Sequence, residues 1–205
     1  MSNLKTIKGT HDLLPDERII WRRVENSIHF IMKQNGYGEI RTPAFENTEL
    51  FVRGIGAETD IVIKEMYSWT DKGGNNLTLK PELTAPVVRA YLQHQMGNKN
   101  PIHRLYYFDT LFRRERPQKG RQRQFYQFGA EAIGSPNPEQ DAEIIALAYN
   151  IYKGFDIKNM TVRLNSIGSA EIRPVYLDNL RCSVKSIKHE LCKICQIRIT
   201  KNALR

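Results

Sequence analysis

Two neighbouring stretches decide how this chain reads: Phe112-Arg113-Arg114-Glu115-Arg116-Pro117-Gln118-Lys119-Gly120-Arg121 and Gln124-Phe125-Tyr126-Gln127-Phe128-Gly129-Ala130-Glu131. Residues 105–113 and 123–132 are rich in Tyr and Phe, which predicts two β-strands. The polar segment between them holds Pro117 and Gly120, so the strands form a hairpin. Successive strand side chains point to opposite faces. Phe125, Gln127, Gly129 and Glu131 therefore share a face. On the first strand Asp109, Leu111 and Arg113 share one, with Glu115 following in the same parity. That set does not make an apolar core. A Gly inside a strand often marks close approach of a ligand or of another backbone. A ring, an amide, a carboxylate and a guanidinium together suit a small polar ligand with a flat ring. Arg113 and Arg121 offer two readings. They either grip phosphate oxygens through charge-assisted, often bidentate bonds, or belong to an ordinary surface loop.

Working outward, Ile20, Val24, Ile28 and Ile31 recur at helical spacing and predict a helix over 16–34, stopped by Asn35-Gly36. A short strand is expected at Glu39–Arg41 and a helix over 44–53. Strands are expected at 64–69 and 76–80, joined by the turn cluster Thr70 to Asn75. Thr84 reads as the N-cap of a helix reaching about Gln95, with Pro86 in its first turn. Asn137-Pro138 open another helix, with Ile144, Leu147, Ala148 and Ile151 on one face. A short strand at Val162 and Leu164 and helix over 170–200 complete the reading. There is no internal repeat. Strands followed by helices, with hairpins, indicate an α+β fold built on an antiparallel sheet flanked by helices.

The chain has 205 residues, 40% apolar and 26% charged, which excludes a disordered class and indicates one domain or slightly more. No apolar run is long enough for a membrane span, and the first twelve residues lack the apolar stretch of a secretory signal. Three cysteines make no disulfide framework, so a reducing, cytoplasmic setting is expected. The net charge is +9. Arg181, Lys185, Lys188, Lys193, Arg198, Lys201 and Arg205 against Glu190 put +6 of it after residue 180. Such a run is first a solvated helix face, and second a surface for phosphate-bearing partners. Cys182, His189, Cys192 and Cys195 supply four zinc-ligand types on paper. Inert thiols in a helical insertion are the preferred reading, and no metal site is expected. His11, His29, His94 and His103 show no partner pattern.

The hairpin stretches, with Lys8-Gly9-Thr10-His11-Asp12 and Pro81-Glu82-Leu83-Thr84-Ala85-Pro86, closely resemble the histidyl-tRNA synthetase family from about Lys5 onward. The resemblance implies a class II aminoacyl-tRNA synthetase catalytic core, with the hairpin as its motif 2. Gly36 to Gly56, centred on Pro43, is similar to motif 1, which in this family builds the homodimer interface. The implied reaction is ATP-dependent activation of L-histidine, helped by Mg²⁺, then transfer to tRNA(His). By resemblance Arg113 contacts the histidine carboxylate and the α-phosphate of ATP. Glu115 and Phe125 hold adenine, and Arg121 reaches the outer phosphates. Glu82, Leu83 and Thr84 serve the α-amino end, with Gln127 nearby, and Glu131 serves the imidazole. Glu82 has a plainer reading as an acid stabilised at a helix N-terminus.

The sequence lacks the family's later segments: a second catalytic arginine, motif 3 and the anticodon-binding domain. The organisation expected is therefore the N-terminal part of the catalytic domain at 1–165, then the start of a basic helical insertion at 166–205. The core is incomplete and impaired activity is expected. The alternatives are a non-catalytic paralogue, such as the regulatory subunit of ATP phosphoribosyltransferase, an inactive gene fragment, and another class II synthetase.

Overall fold

Pro15 suits the first turn of a helix, where its missing N–H is no loss, and Asp16 and Glu17 sit at the positive end of the helix dipole. They start α1, Pro15–Gln34, in a computed structural model that describes residues 4–56, 59–166, 168–201 and 203–204. Ile28 and Met32, one turn apart, form the buried stripe of α1. The chain leaves the helix through Asn35 and Gly36, with Gly36 at φ +74°.

The following elements are β1 (Gly38–Glu39), β2 (Phe45–Asn47), α2 (Thr48–Ile55), β3 (Ser68–Thr70), β4 (Asn76–Leu79) and α3 (Thr84–Gln93). Then come β5 (His103–Phe112), β6 (Gln124–Ile133), α4 (Pro138–Gly154), α5 (Ile172–Val184) and α6 (Lys193–Lys201). Residues Met1–Lys158 form one compact unit and Asn159–Arg205 a second. The second holds α5 and α6 with a short 3₁₀ turn, Lys188–Glu190, between them. Met1 to Asn3, Arg205 and the side chain of Lys201 lie outside the described residues.

The first unit has two three-stranded sheets, β1-β5-β6 and β2-β4-β3. The long hairpin β5–β6 runs in antiparallel register from His103↔Ile133 to Phe112↔Gln124. The β3–β4 hairpin closes on Asp71, whose Oδ1 accepts the backbone N–H groups of Gly73 and Asn75 at 2.8 Å.

Four details differ from the sequence reading. The larger sheet is mixed, because β1 pairs with β5 in parallel, with Gly38 opposite Leu105. A parallel pair needs a long crossover, and everything from β2 to α3 supplies it. Residues 45–47 are a strand rather than the start of a helix, because Phe45 to Asn47 find a partner ladder at Leu79 to Leu77. Strand β3 begins only at Ser68, and residues 61–65 are a π-helical turn. Val162 and Leu164 join no ladder among the described residues and are 49% and 73% exposed.

The period-two alternation of β5 sends side chains into two cores. Tyr106 faces Ile28, Met32, Leu147 and Ile151, so α1 and α4 cover one face of the larger sheet. Leu105, Tyr107 and Leu111 face Leu83 and Val87, which brings α3 and the chain before it onto the other face. Asp109 lies on this second face, between Tyr107 and Leu111. Its carboxylate meets Lys80 Nζ at 2.5 Å, and Lys80 is 2% exposed. A buried charge without a partner is costly, so neither member of this pair can be removed alone without loss.

Candidate active site

The second face of the hairpin is where the site forms. In register, Tyr107 lies opposite Gly129, Asp109 opposite Gln127, and Leu111 opposite Phe125. The parity expected for Phe125, Gln127, Gly129 and Glu131 is therefore observed. Leu83 and Val87 close the floor of this face, and both are almost fully buried.

The site's acids come from two elements. Glu131 ends the β6 series, and its Oε1 accepts Thr84 Oγ1–H at 2.8 Å and Tyr107 Oη–H at 3.2 Å. Glu82 turns onto the start of α3. Its Oε2 accepts the N–H of Thr84 at 2.7 Å, and its Oε1 accepts the N–H of Ala85 at 3.1 Å. Thr84 is thus not the N-cap expected from sequence. It is the first residue of α3, Leu83 holds the cap position, and the Glu82 carboxylate satisfies the free N–H groups. This frees the Thr84 hydroxyl to reach Glu131. Burial raises the Glu82 carboxyl above its usual range, and the hydrogen bonds from Ala85 and Thr84 oppose that rise. The plainer reading of Glu82 is present in the fold, and it leaves the carboxylate close to Thr84, whose hydroxyl reaches Glu131. A cleft of about 850 Å³ between α2 and α3 ends at Glu82, Thr84 and Ala85. Arg113, Phe125 and Glu131 are not among its walls.

Arg113 follows directly on β5. Its Nε–H donates to the Pro81 carbonyl at 2.9 Å, and its guanidinium carbon lies 5.3 Å from the centre of the Phe125 ring. The backbone just before Glu82 therefore aims Arg113, and a cation–π contact holds its plane. Glu115 stands between two arginines, with Arg113 Nη1 at 3.9 Å and Arg121 Nη1 at 3.3 Å. Arg121 is largely exposed at the loop tip, where Gln118 and Arg121 exchange backbone hydrogen bonds. Arg113, Glu115, Arg121 and Phe125 are thus contiguous, and Glu82, Leu83, Thr84 and Glu131 form a neighbouring group. Gln127 stands between them on β6. The Lys8-Gly9-Thr10 segment braces the loop: the Gly9 carbonyl accepts the N–H of Arg123 at 2.7 Å. Gly9 has φ +91°, and a Cβ there would fall 2.8–2.9 Å from Arg123 and Pro117.

Pro43 is not part of this group, although Thr42 and Ala44 on either side of it are bonded to Lys80. Pro43 itself is exposed, as is Phe45, whose ring packs edge-to-face with Trp69 at 5.9 Å.

Two residues of the site were missing from the sequence reading. Tyr107 precedes Asp109 by two on the same face, so parity alone points to it. Lys80 carries no local signal beyond the fact that Asp109, on a face with Leu111, needs a counter-charge. The cysteines do not assemble a metal site: among the described residues no three His, Cys, Asp or Glu side chains group closely enough to hold an ion. Cys192 lies at the start of α6, and the N–H and thiol of Cys195 hold its thiol below the usual range.

The chain has known relatives on both sequence and structure. It superposes on the crystal structure of apo S. aureus histidyl-tRNA synthetase with a TM-score of 0.79 at 39% identity, over 98% of this chain and 47% of that one. A Bacillus halodurans C structure described as an ATP phosphoribosyltransferase regulatory subunit/histidyl-tRNA synthetase matches with a TM-score of 0.69 at 21% identity, over 96% of this chain and 54% of that one. That second match speaks for the fold alone. The architecture is that of a partial class II aminoacyl-tRNA synthetase core. In sequence, the histidine–tRNA ligase of Chloroherpeton thalassium is 52% identical over 98% of this chain and 47% of its own length. The family model for histidyl-tRNA synthetase matches residues 9–196, and this chain belongs to that family. It spans about half the length of the curated relatives it matches. No helix among the described residues is long and apolar enough to cross a membrane.

Proposed function

We propose that this chain carries the amino-acid-activating part of a histidine–tRNA ligase. The carboxylate of L-histidine attacks the α-phosphorus of ATP in line. A new P–O bond forms, the bond to the bridging oxygen breaks, and pyrophosphate leaves. A ribose hydroxyl at the end of tRNA(His) then attacks the adenylate's carbonyl carbon, the bond to the phosphate oxygen breaks, and AMP leaves. No covalent enzyme intermediate is required, so the chain's work is positioning and charge neutralisation.

The observation that carries this reading is the setting of Arg113. It stands between the acids Glu82 and Glu131 and an aromatic-and-arginine loop, aimed by the Pro81 carbonyl and the Phe125 ring. From there its planar fork spans the two reacting groups, the histidine carboxylate and the α-phosphate. Glu82 and Thr84, with Leu83 and Gln127 beside them, serve the ammonium end, and Glu131 accepts from the imidazole. Phe125 stacks on adenine, Glu115 takes its amino edge, and Arg121 meets the outer phosphates. Mg²⁺ carried on the phosphates of ATP would add charge neutralisation beside Arg113 and Arg121.

The run Glu115, Lys119 and Arg121 favours a ligase over a non-catalytic paralogue, because a regulator has no phosphates to hold. Residues 1–165 then serve as the N-terminal part of the catalytic domain, and 166–205 as the start of a basic insertion. The exposed Pro43 segment is the homodimer contact, and the enzyme is cytoplasmic.

The test is pyrophosphate–ATP exchange by the purified 205-residue chain. Exchange that requires L-histidine supports the reading. A folded chain that neither exchanges nor binds L-histidine contradicts it.

A further inference from the structure

Glu131 has two oxygens, and both donors that reach it converge on one of them. Thr84 Oγ1 lies 2.8 Å and Tyr107 Oη 3.2 Å from Oε1. Tyr107 is itself 4% exposed, packed in the cluster of Leu83, Val87, Leu105 and Leu111. Its route to Glu131 runs across β6 at Gly129, its partner in the ladder. A Cβ on Gly129 would fall 2.5 Å from the Tyr107 hydroxyl and 2.6–2.7 Å from two ring carbons. The missing side chain is therefore the notch through which the ring lies, and that explains a glycine inside a ten-residue strand.

We infer that Tyr107 is the positioning residue that sets the specificity of the ring pocket, by fixing the Glu131 carboxylate through the Gly129 notch so that its second oxygen accepts a ring N–H. The inference rests on the histidine reading above and names the group behind the acid in that site. Tyr107 touches neither reacting atom and works only through Glu131.

The chemistry is directional. Burial first, and the negative charge of Glu131 next, push the Tyr107 phenol up to about 12, so it keeps its proton at neutral pH and only donates to Glu131. With Oε1 occupied by two donors, Oε2 is the acceptor left for a ligand. A carboxylate held this way rewards a ring that brings an N–H and penalises an isostere that brings only acceptors. A mobile carboxylate turns either oxygen inward at an entropic cost and discriminates less.

The test compares dissociation constants for L-histidine and for L-thiazolylalanine, a ring isostere without an N–H, on the full 205-residue chain. Tyr107→Phe keeps the ring in the core and deletes only the donor. The expected result is that the preference for L-histidine falls by about tenfold, the scale of one hydrogen bond to a charged group. Gly129→Ala is expected to lower the same preference by displacing the ring. A merely structural role would weaken both ligands alike, so an unchanged ratio overturns the inference. A second readout needs no ligand. The side-chain carboxyl carbon of Glu131, observed by ¹³C NMR at neutral pH, is expected to shift in Tyr107→Phe; an unmoved resonance also overturns it. Wild-type chain that binds no L-histidine removes the substrate reading and with it the specificity role, and the carboxyl resonance then decides whether the Tyr107–Glu131 contact exists.

Discussion

Arg113→Ala is expected to lower histidine-dependent pyrophosphate exchange by about 10²–10³-fold, the usual loss when one group aimed at developing transition-state charge is removed. The geometry makes this residue hard to replace. The Pro81 carbonyl takes its Nε–H at 2.9 Å, which fixes the guanidinium at the start of the Glu82 segment. Phe125 supports the guanidinium plane, and Glu115 lies at 3.9 Å from Nη1. Lysine has one charged nitrogen and no plane. Arg113→Lys is therefore expected to stay close to the alanine variant rather than to the wild type. Binding of L-histidine, read separately, should weaken much less than exchange, because Glu82, Thr84 and Glu131 remain in place. Exchange undiminished in Arg113→Ala would remove Arg113 from the reaction.

The second large effect is on stability. Lys80→Met is expected to destabilise the chain by about 3 kcal/mol, the low end for breaking a buried ion pair from one side. The low end applies because the Asp109 side chain is 25% exposed while Lys80 is 2% exposed. Lys80 is also tied through its backbone. Its N–H donates to the Ala44 carbonyl, its own carbonyl accepts Phe112 N–H, both at 3.0 Å, and Nζ reaches the Thr42 carbonyl at 3.3 Å. One residue thus joins the Thr42–Ala44 segment, β5 and the chain leading into Glu82. The paired variant Lys80→Met with Asp109→Leu leaves no orphaned charge and should recover most of the loss. Urea denaturation of wild type, Lys80→Met, Asp109→Leu and the paired variant gives the coupling directly. Equal stability of wild type and Lys80→Met would show that the pair contributes nothing.

Much of this fold is legible in the sequence where the signal is local. The 3.6-residue spacing of Ile20, Val24, Ile28 and Ile31 marks α1, and Asn137-Pro138 marks the start of α4. The aromatic strands and the Pro117–Gly120 turn mark the hairpin that becomes β5 and β6. Short elements defined by a distant partner are less visible. The strand at Phe45 to Asn47 exists because Leu77 to Leu79 lie beside it, and Val162 and Leu164 fail as a strand because nothing pairs with them among the described residues.

The site follows the same division. Parity groups Phe125, Gln127, Gly129 and Glu131 from sequence alone. It does not say that Gly129 is empty for Tyr107, because that depends on a ring from the opposite strand. Thr84 is a good N-cap residue by type, yet Glu82 takes the capping role and Thr84 turns to Glu131. Those two exchanges were invisible because each depends on contacts across the fold. The Lys80–Asp109 pair, twenty-nine residues apart, is of the same kind.

The most direct measurement is an L-histidine titration of the ¹⁵N-labelled 205-residue chain, followed by amide resonances. Saturable shifts are expected at Thr84, Gly129 and Glu131, absent with L-phenylalanine and weakened in Glu131→Gln. A folded chain whose Thr84, Gly129 and Glu131 amides do not respond to saturating L-histidine would contradict the assignment of this site to histidine.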